Sequence, residues 1–331
     1  MLLPFFLPFL LPFLPFSHPY PEQALGNLDF PDPSITYDPR TQKWYSFATQ
    51  SASIHVQAAS SPFFFPSTWS LLPKVDLLPV PGKWVNSVNP LIWAPDVHYI
   101  NSSSTGQKWI MYYSGLLSGS EYHCVGAAVS YTGILGPYEA GDEPYICPVE
   151  QGGAIDASGY EEDGKRYVVY KVDGSAKGPG GPCGNGIPPG EPTPLRLQEV
   201  YWDDGVTKIG EEVELLDRDS ELDGPLIEAP NLVKIEGKWV LFYSSHCYNS
   251  GDYDVKYAVS EEGVKGPYVR GGQLIGKLRG NFGFRSPGGA SAVVLESGRG
   301  GMVFHADCGV GRCMWETEWV MGRDGVVGVV E

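Results

Sequence analysis

The chain has 331 residues, of which 42 are glycine and 29 are proline, and aromatic residues make up 13%. This composition favours many short β-strands joined by tight turns over long helices, in one large β domain or two ordinary ones. The formal net charge of −16 argues against nucleic acid or an anionic membrane surface as partner, because binding to phosphate needs clustered lysine and arginine. A neutral ligand is the easier partner.

The first sixteen residues, MLLPFFLPFLLPFLPF, are apolar and precede a polar stretch. This run is too short and too broken by proline for a membrane span, and it is typical of the apolar part of a secretory signal. It lacks the usual basic residues in front and an obvious small-x-small cleavage site. We predict that residues 1–20 are a secretory signal segment, that residues 21–331 form one domain and that the protein is secreted.

Five segments after this leader share one pattern. Each opens with small residues, proline or an acid, and continues as an apolar strand, a polar turn and a second apolar strand that starts near a basic and an aromatic residue. The segments are PDPSITYDPRTQKWYSFAT, APDVHYINSSSTGQKWIMYYSG, IDASGYEEDGKRYVVYKVDG, EAPNLVKIEGKWVLFYSS and GGASAVVLESGRGGMVFHAD. Their opening positions are spaced by 64, 60, 72 and 61 residues.

A period of about 60–70 residues, with a second hairpin after each first one, suits a four-stranded propeller blade. Two of the second hairpins, HCVGAAVSYTGILGPYEA and YDVKYAVSEEGVKGPYVR, share a GPY ending, which strengthens the repeat. We therefore predict an all-β, five-bladed β-propeller in a single domain, with the blades over residues 27–331.

All six cysteines follow the leader, and an even number fits an oxidising compartment. None has the spacing of a metal finger. Buried free thiols are the alternative to disulfides, for which we predict the pairs Cys124–Cys147, Cys183–Cys247 and Cys308–Cys313. The segment 173–194 is too rich in glycine and proline for regular structure, and we predict a loop over the pocket mouth, held by Cys183.

Four of the five opening positions are acidic: Asp32, Asp96, Asp156 and Glu228, whereas the fifth is Gly289. In a propeller, the innermost strands start at one face of the central channel, so that equivalent positions converge there. Aspartate before proline is also a common turn initiator, which is the structural alternative. Converging carboxylates repel one another unless function or a cation compensates. Paired carboxylates of different pKa are the groups that hydrolyse glycosidic bonds.

Other residues near these openings are candidates for the same site. Trp93, just before APD, is predicted to form a pocket wall, whereas Trp44 and Trp239 alternate along strands and are predicted to be core. His305, in MVFHAD, is predicted to point into the central channel, where a hydrated cation would moderate the carboxylates. A buried structural histidine is the alternative.

The ordered set FPDPSI, WAPDV, AIDASGYEEDGKRYVVYK and EAPNLVKIEGKWVLFYSS closely resembles glycoside hydrolase family 43 from about residue 27 onward. That family consists of five-bladed propeller enzymes that act on arabinan, arabinoxylan and xylo-oligosaccharides. The resemblance implies inversion of the anomeric centre by single displacement, without a cofactor for the chemistry. It also implies base and acid carboxylates about 6.5–9.5 Å apart, with room for a water.

The resemblance implies a role for each carboxylate. Asp32 of PDPS becomes the general base, Glu228 of EAPN the general acid, and Asp156 of AIDA the group that tunes and orients the acid. Asp96 of WAPD matches a position near the sugar. His305 matches a channel histidine that in many members sits beside a calcium ion or a water cluster, so a structural calcium is expected there.

Two departures from the family pattern bear on the substrate. Many members read IDP where this chain has IDA at 155–157, a change expected to leave Asp156 in place. Many carry a histidine in a GPGH turn where this chain has SPGGAS at 286–291, which removes a polar group near the substrate or a loop. Arg285, just before that turn, is predicted to contact sugar or a carboxylate, with a structural role as the alternative.

These observations predict a secreted, monomeric, inverting glycosidase that cleaves α-L-arabinofuranosyl linkages in arabinan or other neutral plant cell-wall polysaccharides. β-Xylosidase activity is the nearest alternative. Retaining fructan hydrolases rank low, because this chain has DRDS and IEAP where those enzymes need Arg-Asp-Pro and Glu-Cys elements. The alternative from another class is a carbohydrate-binding propeller that has lost catalysis. Such a loss would be expected to remove at least one of the three carboxylates, and this chain has all three.

Overall fold

The computed structural model describes residues 21–64, 68–277 and 282–330. Within these ranges the chain forms β-strands and two short 3₁₀ helices, at Val149–Gln151 and Gly174–Ala176. No helix in the described part is long and apolar enough to cross a membrane. The predicted secretory segment, residues 1–20, lies outside the described residues.

The strands form five antiparallel sheets arranged as blades. Strand β1 spans Glu22–Gln23. Blade 1 contains β2 (Ser34–Asp38), β3 (Lys43–Ala48), β4 (Gln57–Ser61) and β5 (Ser70–Leu71). Blade 2 contains β6 (Trp93–Ser102), β7 (Gly106–Leu116), β8 (His123–Ser130) and β9 (Glu139–Ala140). Blade 3 contains β10 (Ala154–Glu162), β11 (Lys165–Val172), β12 (Leu195–Val200) and β13 (Lys208–Leu216).

The last two blades differ in how they are completed. Blade 4 contains β14 (Ile227–Ile235), β15 (Lys238–Ser245), β16 (Asp254–Ser260) and β17 (Val269–Ile275). Blade 5 contains β18 (Arg285–Val294), β19 (Gly300–Asp307), β20 (Arg312–Met321) and β21 (Val327–Val329). Strand β1 also pairs with β20. The prediction that the blades begin at residue 27 therefore missed the N-terminal strand, which joins the last blade and closes the ring.

The first strand of each blade lies innermost. Strands β2, β6, β10, β14 and β18 contact one another in that order, and β18 contacts β2. Five strand openings therefore meet at one end of the central channel, as in other propellers. The predicted all-β, five-bladed propeller is confirmed.

The hydrophobic core is divided into five clusters, each between two neighbouring blades. Phe47 of blade 1 and Met111 of blade 2 share one cluster, and Leu232 of blade 4 shares another with Val169 of blade 3. The remaining clusters join blades 2 and 3, blades 4 and 5, and blades 5 and 1. Because each sheet buries both faces in this way, a strand that faces a blade on either side is apolar almost throughout.

The openings of blades 2 to 5 share a β-bulge, in which two residues face one residue of the next strand. In blade 3, for example, Ile155 pairs with Lys171 and Ser158 pairs with Val169. The residue at this position of the repeat has a left-handed backbone in every blade, including blade 1, where it precedes β2: Asp32 (φ 54°), Ala94 (φ 41°), Asp156 (φ 58°), Ala229 (φ 51°) and Gly289 (φ 58°).

This register corrects the predicted alignment of the four acids. Asp32 and Asp156 do share one position. Glu228 lies one residue earlier in its blade, before the bulge, and Asp96 lies two residues later, after it. The four acids therefore occupy three different positions of the repeat.

All three predicted disulfides are present: Cys124–Cys147, Cys183–Cys247 and Cys308–Cys313. The second one ties the glycine- and proline-rich loop 173–194 to blade 4, as predicted for Cys183. It does so directly before Tyr248, a residue of the pocket described next.

Candidate active site

The strand openings surround a pocket with a volume of about 250 Å³. This lies just below the roughly 300–1,000 Å³ of sites for drug-sized ligands, so the pocket suits a small ring or the end of a chain. Five of the predicted site residues line it: Asp32, Trp93, Asp96, Asp156 and Glu228. Tyr248, Tyr253 and Arg312 also line it and were not predicted.

Asp32 is held from several sides as an ionised carboxylate. Arg312 donates from Nη1 to Oδ1 at 2.8 Å, and the hydroxyl of Thr49 donates to Oδ2 at 2.6 Å. Burial alone raises the pKa of Asp32, but the charge of Arg312 and the hydrogen bond from Thr49 outweigh it and leave the pKa below its usual value. Asp32 can therefore accept a proton at neutral pH.

Asp156 has the opposite character. Its Oδ2 accepts the backbone N–H of Ala229 at 3.0 Å, and its own N–H donates to the Ser114 hydroxyl at 3.1 Å. Burial, followed by the negative charge of Glu228, raises the pKa of Asp156 to about 8, although the charge of Lys171 opposes the rise. Asp156 therefore carries a proton at neutral pH.

Glu228 accepts two hydrogen bonds from side chains. Lys171 Nζ lies 3.1 Å from Oε2, and the Tyr253 hydroxyl donates to Oε1 at 2.9 Å. The side chain of Lys171 is only 1% exposed and also contacts Asp173 Oδ1 at 2.9 Å. Burial lowers the pKa of Lys171, but Asp173 and Glu228 together raise it above its usual value, so that the ammonium stays charged.

Asp96 combines a place in the pocket lining with contacts to the next blade. It lines the pocket, but its side chain is 8% exposed and its Oδ2 accepts the N–H of Gly159 at 2.8 Å and lies 2.6 Å from His98 Nε2. Equivalent bonds join Asn231 of blade 4 to blade 5 and Ser291 of blade 5 to blade 1. Asp96 is thus one of the side chains that join neighbouring blades by hydrogen bonds.

His305 does not fit a direct metal ligand. It is fully buried, and its Nδ1 accepts the backbone N–H of Asp32 at 3.0 Å. Burial and then the charge of Arg312 lower the pKa of His305 to about 3, so the ring is neutral and its proton sits on Nε2. A protonated nitrogen cannot bind a cation, and the described residues contain no group of three or more His, Cys, Asp or Glu side chains suited to a metal ion.

Arg285 is not among the described residues that line the pocket, and of the two contacts predicted for it, with sugar or with a carboxylate, the structure shows the second. Its side chain is 79% exposed and lies 3.4 Å from Asp307. The arginine among the pocket-lining residues is Arg312, from the third strand of the same blade. Arg285 leads into the innermost strand before the bulge, and from there its side chain extends to solvent.

The aromatic residues divide as predicted. Trp93 lines the pocket and stacks on His123, with 3.7 Å between ring centroids. Trp44 packs against the cluster between blades 5 and 1, and Trp239 packs against the cluster between blades 3 and 4. The half-exposed Tyr248 also lines the pocket, with the Arg312 guanidinium 5.1 Å from its ring centroid.

The residues that sequence reasoning missed had weak signals of their own. Lys171 is a charged residue at the end of the apolar run YVVYKV, which is unusual in a buried strand. Arg312 lies directly beside one cysteine of the predicted Cys308–Cys313 pair. Neither signal identifies the pocket carboxylate that the residue contacts, because Glu228 and Asp32 lie far away in the chain.

Taken together, the pocket offers an ionised carboxylate and a protonated carboxyl group in one small concave site. One can activate a water and the other can supply a proton, which is the division of labour that glycosidic bond hydrolysis requires. Tyrosine and tryptophan side chains on the rim provide faces on which a sugar ring can stack.

Comparisons with known proteins agree with this geometry. Residues 22–323 match the family described as Glycosyl hydrolases family 43. No curated protein matches the chain.

Solved structures share the fold over nearly the whole chain. A thermostable family-43 glycoside hydrolase has 24% identity and a TM-score of 0.73 over 93% of this chain and 95% of its own. An α-L-arabinanase from Cellvibrio cellulosa complexed with arabinohexaose has 21% identity and a TM-score of 0.65, with 93% and 96% covered. An endo-1,4-β-xylanase from Bacteroides thetaiotaomicron has 21% identity and a TM-score of 0.65, with 92% and 95% covered. With the family match over nine-tenths of its length, the chain belongs to glycosyl hydrolase family 43 and is a glycoside hydrolase.

Proposed function

We propose that the protein is a secreted, inverting glycosidase that cleaves α-L-arabinofuranosyl linkages in arabinan or related arabinose-containing plant cell-wall polysaccharides. The observation that carries this proposal is the contrast between Asp32, held ionised by Arg312, and the protonated Asp156 beside Glu228 in the same pocket. The α-L-arabinanase bound to arabinohexaose, which has the same fold, supports the choice of sugar.

In the proposed reaction Asp32 takes a proton from a water that attacks the anomeric carbon. The bond from that carbon to the leaving oxygen breaks, and the leaving oxygen receives a proton from Glu228. Asp156, which carries a proton in the free enzyme, orients Glu228 and passes this proton to it as the leaving oxygen takes one up. After the products leave, the proton that Asp32 gained returns to Asp156 through solvent. No metal or cofactor takes part in these steps.

The test is incubation with arabinan, aryl α-L-arabinofuranoside and aryl β-D-xyloside, with the first anomer released followed by NMR. We expect hydrolysis of the arabinose substrates with inversion. Preference for the xyloside would support the β-xylosidase alternative, which the fold shared with the xylanase favours. Release of the retained anomer would overturn single displacement, and tight sugar binding without any hydrolysis would point to a binding propeller.

Secretion is part of the proposal. Three disulfides occupy all six cysteines, which is the chemistry of an oxidising compartment. Expression with residues 1–20 intact, followed by sequencing of the N-terminus of the exported protein, tests it. Retention of the full-length chain inside the cell would contradict it, and light scattering of the exported protein tests the expected monomer.

A further inference from the structure

The second strand of each blade carries a side chain at a fixed position opposite the opening bulge. In four blades that side chain accepts a hydrogen bond from the left-handed residue of the next blade. The bonds run from Ala94 N–H to Thr49 at 2.9 Å, from Asp156 N–H to Ser114 at 3.1 Å, from Gly289 N–H to Ser244 at 2.9 Å and from Asp32 N–H to His305 at 3.0 Å. This ring of bonds orients the openings around the pocket.

Blade 3 is the exception. Lys171 occupies the corresponding position, since it pairs with Ile155 as Ser114 pairs with Trp93 in blade 2. An ammonium group has no lone pair to offer, so Lys171 cannot accept the N–H of the next blade. Asp156 accepts the N–H of Ala229 instead, and Lys171 reaches one residue further back, to Glu228.

A buried lysine is costly unless its charge is paired, so a lysine at this point of the repeat needs a reason. Here its partners are Asp173 at the end of its own strand and Glu228 on the adjoining blade, and its contact with the Ser175 hydroxyl at 3.3 Å completes its environment. A serine or threonine would satisfy the repeat without a buried charge. The lysine therefore acts on the carboxyl groups rather than on the backbone.

We propose that Lys171 is a positioning residue that fixes the Glu228 side chain in the pocket and whose charge limits how far into the alkaline range Asp156 keeps its proton, thereby setting the upper pH limit of the reaction. This inference rests on the proposed function for its kinetic consequence. The predicted effect of the Lys171 charge on the protonation of Asp156 depends only on the contacts of Lys171 and not on the reaction.

The charged groups around the pair come from several elements. Lys171 and Asp173 face it from blade 3, Asp32 faces Asp156 from blade 1, and His123 of blade 2 faces Asp173. Burial lowers the pKa of His123 to about 4, so that this ring is neutral at working pH. Lys171 is thus the positive charge that lowers the pKa of Asp156, and without it Asp156 retains its proton to higher pH.

The kinetic test measures kcat/KM against pH on an arabino-oligosaccharide for the wild type, Lys171→Met, Lys171→Gln and Lys171→Arg. We expect the basic limb of the Met and Gln variants to move up by at least about one pH unit, and that of the Arg variant to stay near the wild type, because arginine keeps the charge. Superimposed basic limbs would overturn the inference. The Gln variant serves if the Met variant does not fold.

A matched control is Lys256→Met. Lys256 is a similarly buried lysine whose Nζ lies 3.0 Å from the buried Asp223, away from the pocket-lining residues. Its loss should destabilise the fold without moving the pH profile. A shift of the same size in this control would show that destabilisation, rather than the charge of Lys171, moves the limb.

A second readout does not depend on activity. Carbon-13 NMR of labelled aspartate and glutamate carboxyl groups, assigned with Asp156→Asn and Glu228→Gln, follows the protonation of the pair directly. We expect the Asp156 titration to move to higher pH in Lys171→Gln, and an unmoved titration overturns the inference. If the wild type hydrolyses none of the substrates but this titration moves, the proposed function fails and the role of Lys171 in proton placement stands.

Discussion

At the residue scale, the two carboxylates at equivalent repeat positions differ because of their neighbours. Asp32 and Asp156 both follow the same backbone turn, yet Asp32 meets Arg312 and Thr49, whereas Asp156 meets Glu228 and a backbone N–H. The same residue type in the same conformation thus becomes an ionised group in one blade and a protonated group in another. The local charge balance decides the role, not the turn.

Arg312 is the residue that keeps Asp32 ionised. We expect Arg312→Met to lower kcat/KM about 10- to 100-fold, the effect of losing a hydrogen bond to a charged group, and to raise the acidic limb of the pH profile because the pKa of Asp32 rises. Arg285→Met, at the exposed arginine of the same blade, should change neither. An unchanged acidic limb in Arg312→Met would contradict this account of Asp32.

The proposed roles of Asp32 and Glu228 predict different responses to the leaving group. Asp32→Asn should abolish turnover of every substrate, because no group then activates the water. Glu228→Gln should lose less activity on aryl glycosides with good leaving groups than on oligosaccharides, because the aryl oxygen needs no proton. Steady-state kinetics on both substrate types checks this, and equal losses for both variants would count against the assignment.

The raised pKa of Asp156 predicts that the stability of the fold depends on pH. Its pKa in the folded protein, about 8, lies above the value of 3.8 for a free side chain, so the folded state holds a proton that the unfolded state has lost between these values. Its contribution to stability is therefore full below about pH 4 and is lost as the pH rises through about 8. Denaturant unfolding at several pH values should show a steeper fall in this window for the wild type than for Asp156→Asn. Parallel curves would contradict it.

At the element scale, the repeated opening bulge places the site. Its extra residue turns the side chains that follow to a different face, so that Asp96 after the bulge joins blades while Glu228 before it faces the pocket. The sequence repeat showed the openings but not the register inside them, because the bulged residues are aspartate, alanine and glycine in different blades.

The interblade bonds at these openings predict a stability effect. Ser244→Ala leaves the Gly289 N–H without its acceptor in a buried position and should cost about 1–3 kcal/mol in the free energy of unfolding. Ser297→Ala, at an exposed turn, is the control and should lower the free energy of unfolding by less than about 0.5 kcal/mol. Urea titration of both variants decides between them, and equal stabilities would mean that water replaces the lost acceptor.

At the scale of the whole molecule, the ring is closed by the N-terminal strand. Glu22 and Gln23 pair with Glu316 and Trp315 of blade 5, and Ala24 N–H donates to Met314 at 2.9 Å. The first described residues and the last blade therefore form one sheet. The closing contact joins residues from opposite ends of the described range, so it is a contact of high sequence separation.

Truncation tests this closure. Removal of residues 1–26 should lower the free energy of unfolding by about 2–4 kcal/mol, from several lost backbone hydrogen bonds and the side chains they order. Removal of residues 1–20 leaves the strand intact and is the matched control. Thermal unfolding of the two truncated proteins should differ by several degrees, and coincident transitions would show that closure contributes little.

The sequence by itself determined the five repeats, the propeller and the carboxylates Asp32, Asp156 and Glu228 around one mouth, because strand periodicity and short motifs are local. It predicted the cysteine pairs but left buried free thiols open, and the structure decided for the disulfides. Only the tertiary structure decided that Asp96 joins blades, that Arg285 faces solvent, and that Arg312 and Lys171 hold the reacting groups. Arg312 and Asp32 are 280 residues apart, and Lys171 and Glu228 are 57 apart. Charges act through space, so a pocket built from five blades has an electrostatic character that no single segment contains.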